Sequence, residues 1–303
     1  LPGWVPPSRV LGGFHLIRSV GTGAVGSVFV AKRVEARQDE DAVLFALKVP
    51  DYSAAAARTL SEEEFLRLFR EEAGTLLALP EHRNIAHFVT FDAGARPKPI
   101  LVMELVEGPS LERLLEMRDL STRRATELLL GVSAGLQTMH DVGIGHLDVK
   151  PSNFIVRSQP SNDPAKRVDV PVLVDFGLAG KHLRPGCGTA NYGAPEIWGL
   201  GGDGPIAADV YAFGCLVFEL YTGQTLFDGV GEAAMITMHV THDGDPEPVQ
   251  ALQARESTRE LGELVAQCLR RNPADRIGIA EARERLEKLA PTLRSRGWPL
   301  PSN

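Results

Sequence analysis

The chain has 303 residues, 44% hydrophobic and 23% charged, which excludes global disorder and suits one large domain or two small lobes. A formal net charge of −7 and a pI near 5.7 argue against nucleic acid or anionic lipid as a nonspecific partner. Mean hydropathy is −0.06 and no stretch reaches the ~18 unbroken apolar residues of a membrane helix. The three cysteines, Cys187, Cys215 and Cys268, form no CxxC pair, so a zinc ribbon or disulfide framework is not supported and a reducing, cytoplasmic setting is expected.

In chain order, residues 1–13 carry three prolines and three glycines and read as an irregular leader. Strand-like segments follow at Phe14–Val20, Ser27–Val34 and Val43–Val49, the last two separated by a polar turn at Glu35–Ala42. Ser61 and Glu64 spell a capping box for a helix whose apolar stripe is Phe65, Phe69, Leu76 and Leu77. Two more strands are expected at Ile85–Phe91 and Pro99–Glu104. From Glu107 helices dominate. Ser121 caps one with Ala125, Leu128, Leu129, Val132, Leu136 and Met139 on a single face, ending at Gly143. Ser158–Arg167 reads as a polar loop. Val210–Tyr221 is apolar all round and predicts a helix buried on every side; amphipathic helices follow near Thr258–Arg271 and Ile279–Leu289. The reading is therefore α+β: a β-rich small lobe over 14–106, a helical large lobe over 107–290, and a peripheral Pro-rich tail over 291–303.

Several stretches carry chemistry. Gly21, Thr22, Gly23, Ala24, Val25, Gly26, Ser27 and Val28 fit G-x-G-x-x-G-x-V. A strand follows the glycines, where a dinucleotide fold needs a helix, and no Gly-Lys-Ser/Thr is present for a Walker A loop. What remains is a hairpin whose small residues let backbone N–H groups approach phosphates. Lys48 lies within an apolar strand and needs a partner for its charge. Glu72 interrupts the helical stripe and is the candidate, whereas Glu71 falls on the side of Arg67 and Thr75 and should be solvated. His146-Leu147-Asp148-Val149-Lys150-Pro151-Ser152-Asn153 packs an acid, a base and an amide into eight residues. Asp148 can accept a hydroxyl proton, Lys150 can neutralise phosphoryl charge and Asn153 can ligate a divalent cation. Asp175, at the end of an apolar strand before Phe176-Gly177, offers a second oxygen ligand for Mg²⁺.

These segments, with Ala46-Leu47-Lys48 and Ala194-Pro195-Glu196, occur in an order that resembles the eukaryotic-like Ser/Thr protein kinase family over nearly the whole chain. The resemblance implies a bilobal kinase fold, ATP as donor, Mg²⁺ (or Mn²⁺) as cofactor and a protein Ser/Thr hydroxyl as acceptor. It implies that Gly21–Gly26, Val28 and Ala46 surround ATP, with Met103, Glu104 and Val106 beside the adenine. Lys48 would hold the α- and β-phosphates and pair with Glu72. Asp148 would deprotonate the substrate, Lys150 steady the γ-phosphoryl, and Asn153 and Asp175 bind metal. Asp209 would brace the catalytic loop, and Glu196 would pair with Arg276. Lys150 and Thr189 match the Ser/Thr class. The Ala-, Arg- and Gly-rich composition is compatible with a bacterial source.

The sequence departs from the family at its catalytic loop and in the segment that follows Asp175-Phe176-Gly177. Leu147 stands where many members carry the Arg that clamps an activation-loop phosphate, and residues 178–187 contain no Ser, Thr or Tyr. Activity without activation-loop phosphorylation is therefore expected. The alternative is a pseudokinase, a binding or scaffold module; intact Lys48, Asp148, Asn153 and Asp175 argue against it.

Overall fold

The structure, a computed structural model, describes residues 1–23, 26–52, 61–160, 167–183, 186–199, 204–229 and 231–301. Two compact units emerge, one of residues 1–81 and 86–106, the other of residues 82–85 and 107–303.

The small unit is built on an antiparallel sheet of β1 (Val10–Leu11), β2 (Phe14–Gly23), β3 (Gly26–Arg33), β4 (Phe45–Val49), β5 (Phe88–Asp92) and β6 (Ile100–Glu104). The strand order is β1-β2-β3-β4-β6-β5. Leu11, Leu16, Phe29, Leu47, Ile100 and Val102 are fully buried in its core. Helix α1 (Glu62–Ala78) starts at the expected box: the Ser61 side chain accepts from Glu64 N, and Glu64 Oε2 accepts from Ser61 N at 2.9 Å. Phe65 and Phe69 are buried on α1, and the Phe69 ring meets Phe91 at 6.0 Å. Each such burial contributes about 1.5–3 kcal/mol. Two expectations fail here. Leu77 is 70% exposed, because the buried face runs through Phe65, Phe69, Ala73 and Leu76 and the next residue turns ~100° away from it. Nor is the leader irregular throughout: Val10 and Leu11 pair with β2, and Trp4 and Val5 pack against the core.

The large unit begins with α2 (Leu111–Glu116), capped by Ser110, and α3 (Thr122–His140), capped by Ser121. All six apolar residues expected on one face of α3 are fully buried. A hairpin of β7 (Phe154–Pro160) and β8 (Arg167–Leu173) extends into the segment expected as a polar loop. In helix α4 (Pro205–Thr222) every residue from Ala208 to Thr222 is buried, so its apolarity on every side is matched by protein on every side. Then come α5 (Glu232–Val240), α6 (Glu247–Gln253), α7 (Arg259–Cys268) and α8 (Ile279–Arg294).

The tail is not peripheral. Helix α8 runs through Pro291, and Leu293 and Leu300 are buried. Thr122 Oγ1 donates to Arg296 O, Trp298 Nε1 to Leu220 O, and Leu300 N to Tyr221 O, each at 2.8 Å. These bonds dock the tail on α3 and on the end of α4.

Candidate active site

In the small unit, β2 and β3 bring Gly21 opposite Val28, Thr22 opposite Ser27 and Gly23 opposite Gly26, a hairpin as the glycine pattern predicts. Ala24 and Val25 lie outside the described residues. Only glycine fits at position 26, since a Cβ there would overlap the Val49 carbonyl oxygen. Val28 pairs with Lys48, and Ala46 with Met103. Lys48 Nζ lies 2.7 Å from Glu72 Oε1, and both residues are buried, at 5% and 1% exposure. A strand lysine and a helix carboxylate thus answer each other's desolvation. Glu71 is on the open side of α1, 3.5 Å from Arg67. Glu104 is held by His87, with its N–H donating to His87 O at 2.9 Å and its Oε1 accepting from His87 N at 3.0 Å. Val106 closes this unit.

In the large unit, the segment after α3 is fixed by a buried carboxylate. Asp209, fully buried near the start of α4, accepts from His146 N at 2.6 Å, Leu147 N at 2.7 Å and His140 Nε2 at 2.9 Å. Leu147 has φ +64°, a left-handed conformation that leucine rarely adopts, and its buried side chain and captured N–H hold it there. His146 Nε2 donates to the Asp175 carbonyl, and its ring meets Phe176 edge-on at 5.7 Å.

This frame aims the polar side chains at one another. Thr189 Oγ1 donates to Asp148 Oδ1 at 2.8 Å and accepts from Lys150 Nζ at 2.9 Å. Lys150 Nζ is also 2.7 Å from Asp148 Oδ2. Asn153 Nδ2 donates to Asp148 O at 2.8 Å and to Asp148 Oδ2 at 3.1 Å. Val174 N donates to Asn153 O, bringing Asp175 beside this loop. With its nitrogen on Asp148, Asn153 offers Oδ1 to a cation, and Asp175 adds a carboxylate. Two hard oxygen donors on adjoining segments fit Mg²⁺, which takes few protein ligands and completes its shell with phosphates and water. Among the described residues, no group of three or more His, Cys, Asp or Glu gathers as a self-sufficient metal site.

Other expected neighbours are also in place. Glu196 meets Arg276 through both carboxylate oxygens, with Nη2–Oε2 at 2.8 Å. Arg276 further donates to the carbonyls of Ala207, Arg270 and Arg271 and lies over the Tyr211 ring. Sequence reasoning missed one pair: Tyr192 Oη donates to Glu219 Oε2 at 2.6 Å. Burial pushes the Glu219 carboxyl up to about 7; the Tyr192 hydrogen bond opposes this and the Glu112 charge adds to it. The signal was a lone acid in the apolar run of α4, which needs a donor as Lys48 needs an acceptor.

Comparison with known proteins accords with this geometry. The family model for the protein kinase domain matches residues 14–286. The chain is 34% identical over 285 residues to the serine/threonine-protein kinase PknL of Mycobacterium bovis, covering 91% of this chain and 65% of that protein. It is 30% identical over 280 residues to PknB of Mycolicibacterium smegmatis, covering 90% of this chain and 42% of that protein. With pkn2 of Myxococcus xanthus the identity is 30% over 248 residues, 78% of this chain and 28% of that protein. The chain thus spans less than two thirds of the length of these relatives. With a family match across most of its residues, and with one sheet-based unit and one helical unit, the chain belongs to the protein kinase domain family.

Proposed function

We propose that the chain transfers the γ-phosphoryl of ATP to a Ser or Thr hydroxyl of a protein. The observation that carries this reading is the triangle of Asp148, Thr189 and Lys150, with contacts of 2.7–2.9 Å. Thr189 and Asn153 orient the Asp148 carboxylate so that it accepts the proton of an incoming hydroxyl. The hydroxyl oxygen bonds to the γ-phosphorus as the bond to the ADP oxygen breaks, and the proton goes to Asp148. Lys150 offsets negative charge on the phosphoryl in transit. In the small unit, the backbone of Gly21–Gly26 and the side chains of Val28 and Ala46 take the nucleotide. Lys48, held by Glu72, takes its α- and β-phosphates, and Met103, Glu104 and Val106 take its adenine. Asn153 and Asp175 would hold Mg²⁺, which when bound neutralises phosphate charge; Mn²⁺ has the same oxygen preference. Use of ATP, with Cys187, Cys215 and Cys268 as free thiols, supports a cytoplasmic setting.

We infer also that activity is independent of activation-loop phosphorylation. Leu147 occupies with an apolar, buried side chain the place where a phosphate clamp would need a cation. Thr189, the first hydroxyl after residues 178–187, is already committed to Asp148 and Lys150. Phosphatase-treated protein is expected to keep its full rate, and a large loss restored by phosphorylation of Thr189 would overturn this.

The deciding experiment is phosphotransfer from radiolabelled ATP to a generic protein acceptor, with Asp148→Asn beside the wild type. A loss of about 10²–10⁴-fold is expected in the variant. Equal labelling by both would replace the enzyme with a nucleotide-binding scaffold.

A further inference from the structure

The root of the glycine-rich hairpin is tied by side chains to which the proposed reaction gives no role. Strands β3 and β4 pair Ser27 with Val49 and Val28 with Lys48. The ladder stops there, because Pro50 has no N–H to extend it. Beyond that point a side chain takes over: Ser27 Oγ donates to Asp51 Oδ2 at 2.9 Å. Lys98 Nζ approaches the same carboxylate at 3.4 Å and donates to Pro50 O at 3.1 Å. The Lys98 ammonium lies 4.6 Å from the centroid of the Trp4 ring, and Trp4 meets the core residue Phe29 edge-on at 6.0 Å. Residues 4, 27, 51 and 98 thus form one continuous chain of contacts from the leader to the hairpin root.

The Lys98–Asp51 pair is half-buried, with side chains 27% and 29% exposed, and alone such a pair contributes little. The aromatic face over the ammonium, the Pro50 carbonyl and the buried Ser27 hydroxyl hold it in one arrangement. Gly26 lies against the Val49 carbonyl, so fraying of this strand end moves the hairpin directly. We propose that Trp4, Lys98 and Asp51 act on Ser27 as a positioning latch, through which the leader fixes the glycine-rich hairpin and sets nucleotide affinity. The affinity clause rests on the kinase reading; the latch itself does not.

Two measurements separate them: hydrogen exchange of the nucleotide-free chain, read by mass spectrometry, and titration with ATP alongside steady-state kinetics. Trp4→Ala, Lys98→Met and Ser27→Ala are each expected to speed exchange across Gly26–Val30 and to raise Kd and KM for ATP about fivefold, the factor one hydrogen bond supplies, with kcat within about twofold. Ser27→Thr, which keeps the hydroxyl, restores both readouts. Trp4→Phe preserves them too, because the ring face meets the ammonium while the indole N–H is buried without a partner among the described residues. Unchanged exchange in Lys98→Met and Ser27→Ala, two variants that keep most of the side-chain volume, overturns the latch. Faster exchange with unchanged ATP affinity overturns its role in nucleotide binding. A wild type that binds no ATP overturns the kinase reading and the affinity clause together, while exchange still decides the latch.

Discussion

Lys48 and Asp148 are held in place by different means. Lys48 sits in a strand, and its position follows from ladder register: Val28 on one side, Leu101 on the other, and a helix presenting Glu72. Asp148 sits in a segment with no ladder of its own. Its position follows from a fully buried carboxylate, Asp209, that captures two backbone N–H groups, and from His146 reaching the Asp175 carbonyl. A ladder spreads its hold over many equivalent bonds, so single changes are absorbed. A loop pinned by a few buried polar groups concentrates it, and each pin is then costly to remove.

The contrast can be tested by removing pins. The largest effect is expected from Glu196→Gln, which leaves the buried Arg276 charge without its carboxylate and should cost about 3–5 kcal/mol in urea unfolding. Asp209→Asn comes next. One amide oxygen replaces two carboxylate acceptors, so either His146 N or Leu147 N loses its bond; about 1–3 kcal/mol of stability is expected to go, with a larger drop in phosphotransfer as Leu147 leaves φ +64°. If both variants unfold like the wild type, the large unit is no more concentrated in its hold than the sheet.

The smallest effect is a pH slope. Glu219 has its carboxyl raised from 4.5 to about 7. Between those values the native state holds a proton that the unfolded chain has released, so this group's contribution is full below pH 4.5 and is lost as pH rises through about 7. The slope is at most ~1.4 kcal/mol per pH unit. Glu219→Gln should remove that part of the stability profile over pH 4.5–7, and an unchanged profile would mean that burial does not hold the Glu219 carboxyl protonated in the native state.

The same contrast explains what could be read before the fold was seen. Alternation and caps reveal regular elements: Ser61–Glu64 announced α1, Ser121 announced α3, and an interrupted stripe pointed from Glu72 to Lys48. In the large unit the order of Asp148, Lys150, Asn153 and Asp175 was legible as chemistry. The pins were unevenly so. Asp209 and Arg276 were placed only through the family resemblance, and Tyr192–Glu219 was not found, because a hydrogen bond across 27 residues leaves no periodic mark. Short elements were missed for a related reason. Helix α2 buries only Leu111 and Leu114, too few to show a period, and α6 buries only Val249 and Leu252. The leader and tail were set aside on proline and glycine content. Pro291 forfeits one helical hydrogen bond, but Ala290 and Leu293 still bury their side chains around it, and tertiary packing prevails over local propensity.

The docking of both ends bears on how much polypeptide a working preparation must contain. Recurrent sequence covers residues 14–286, yet Leu11 lies within the sheet's core and Leu300 is buried beside the end of α4. An expression fragment trimmed to the recurrent stretch would uncover apolar surface at both extremities and should be prone to aggregation. The stretch that the family match spans and the stretch expected to stay in solution are, for this polypeptide, different lengths of chain.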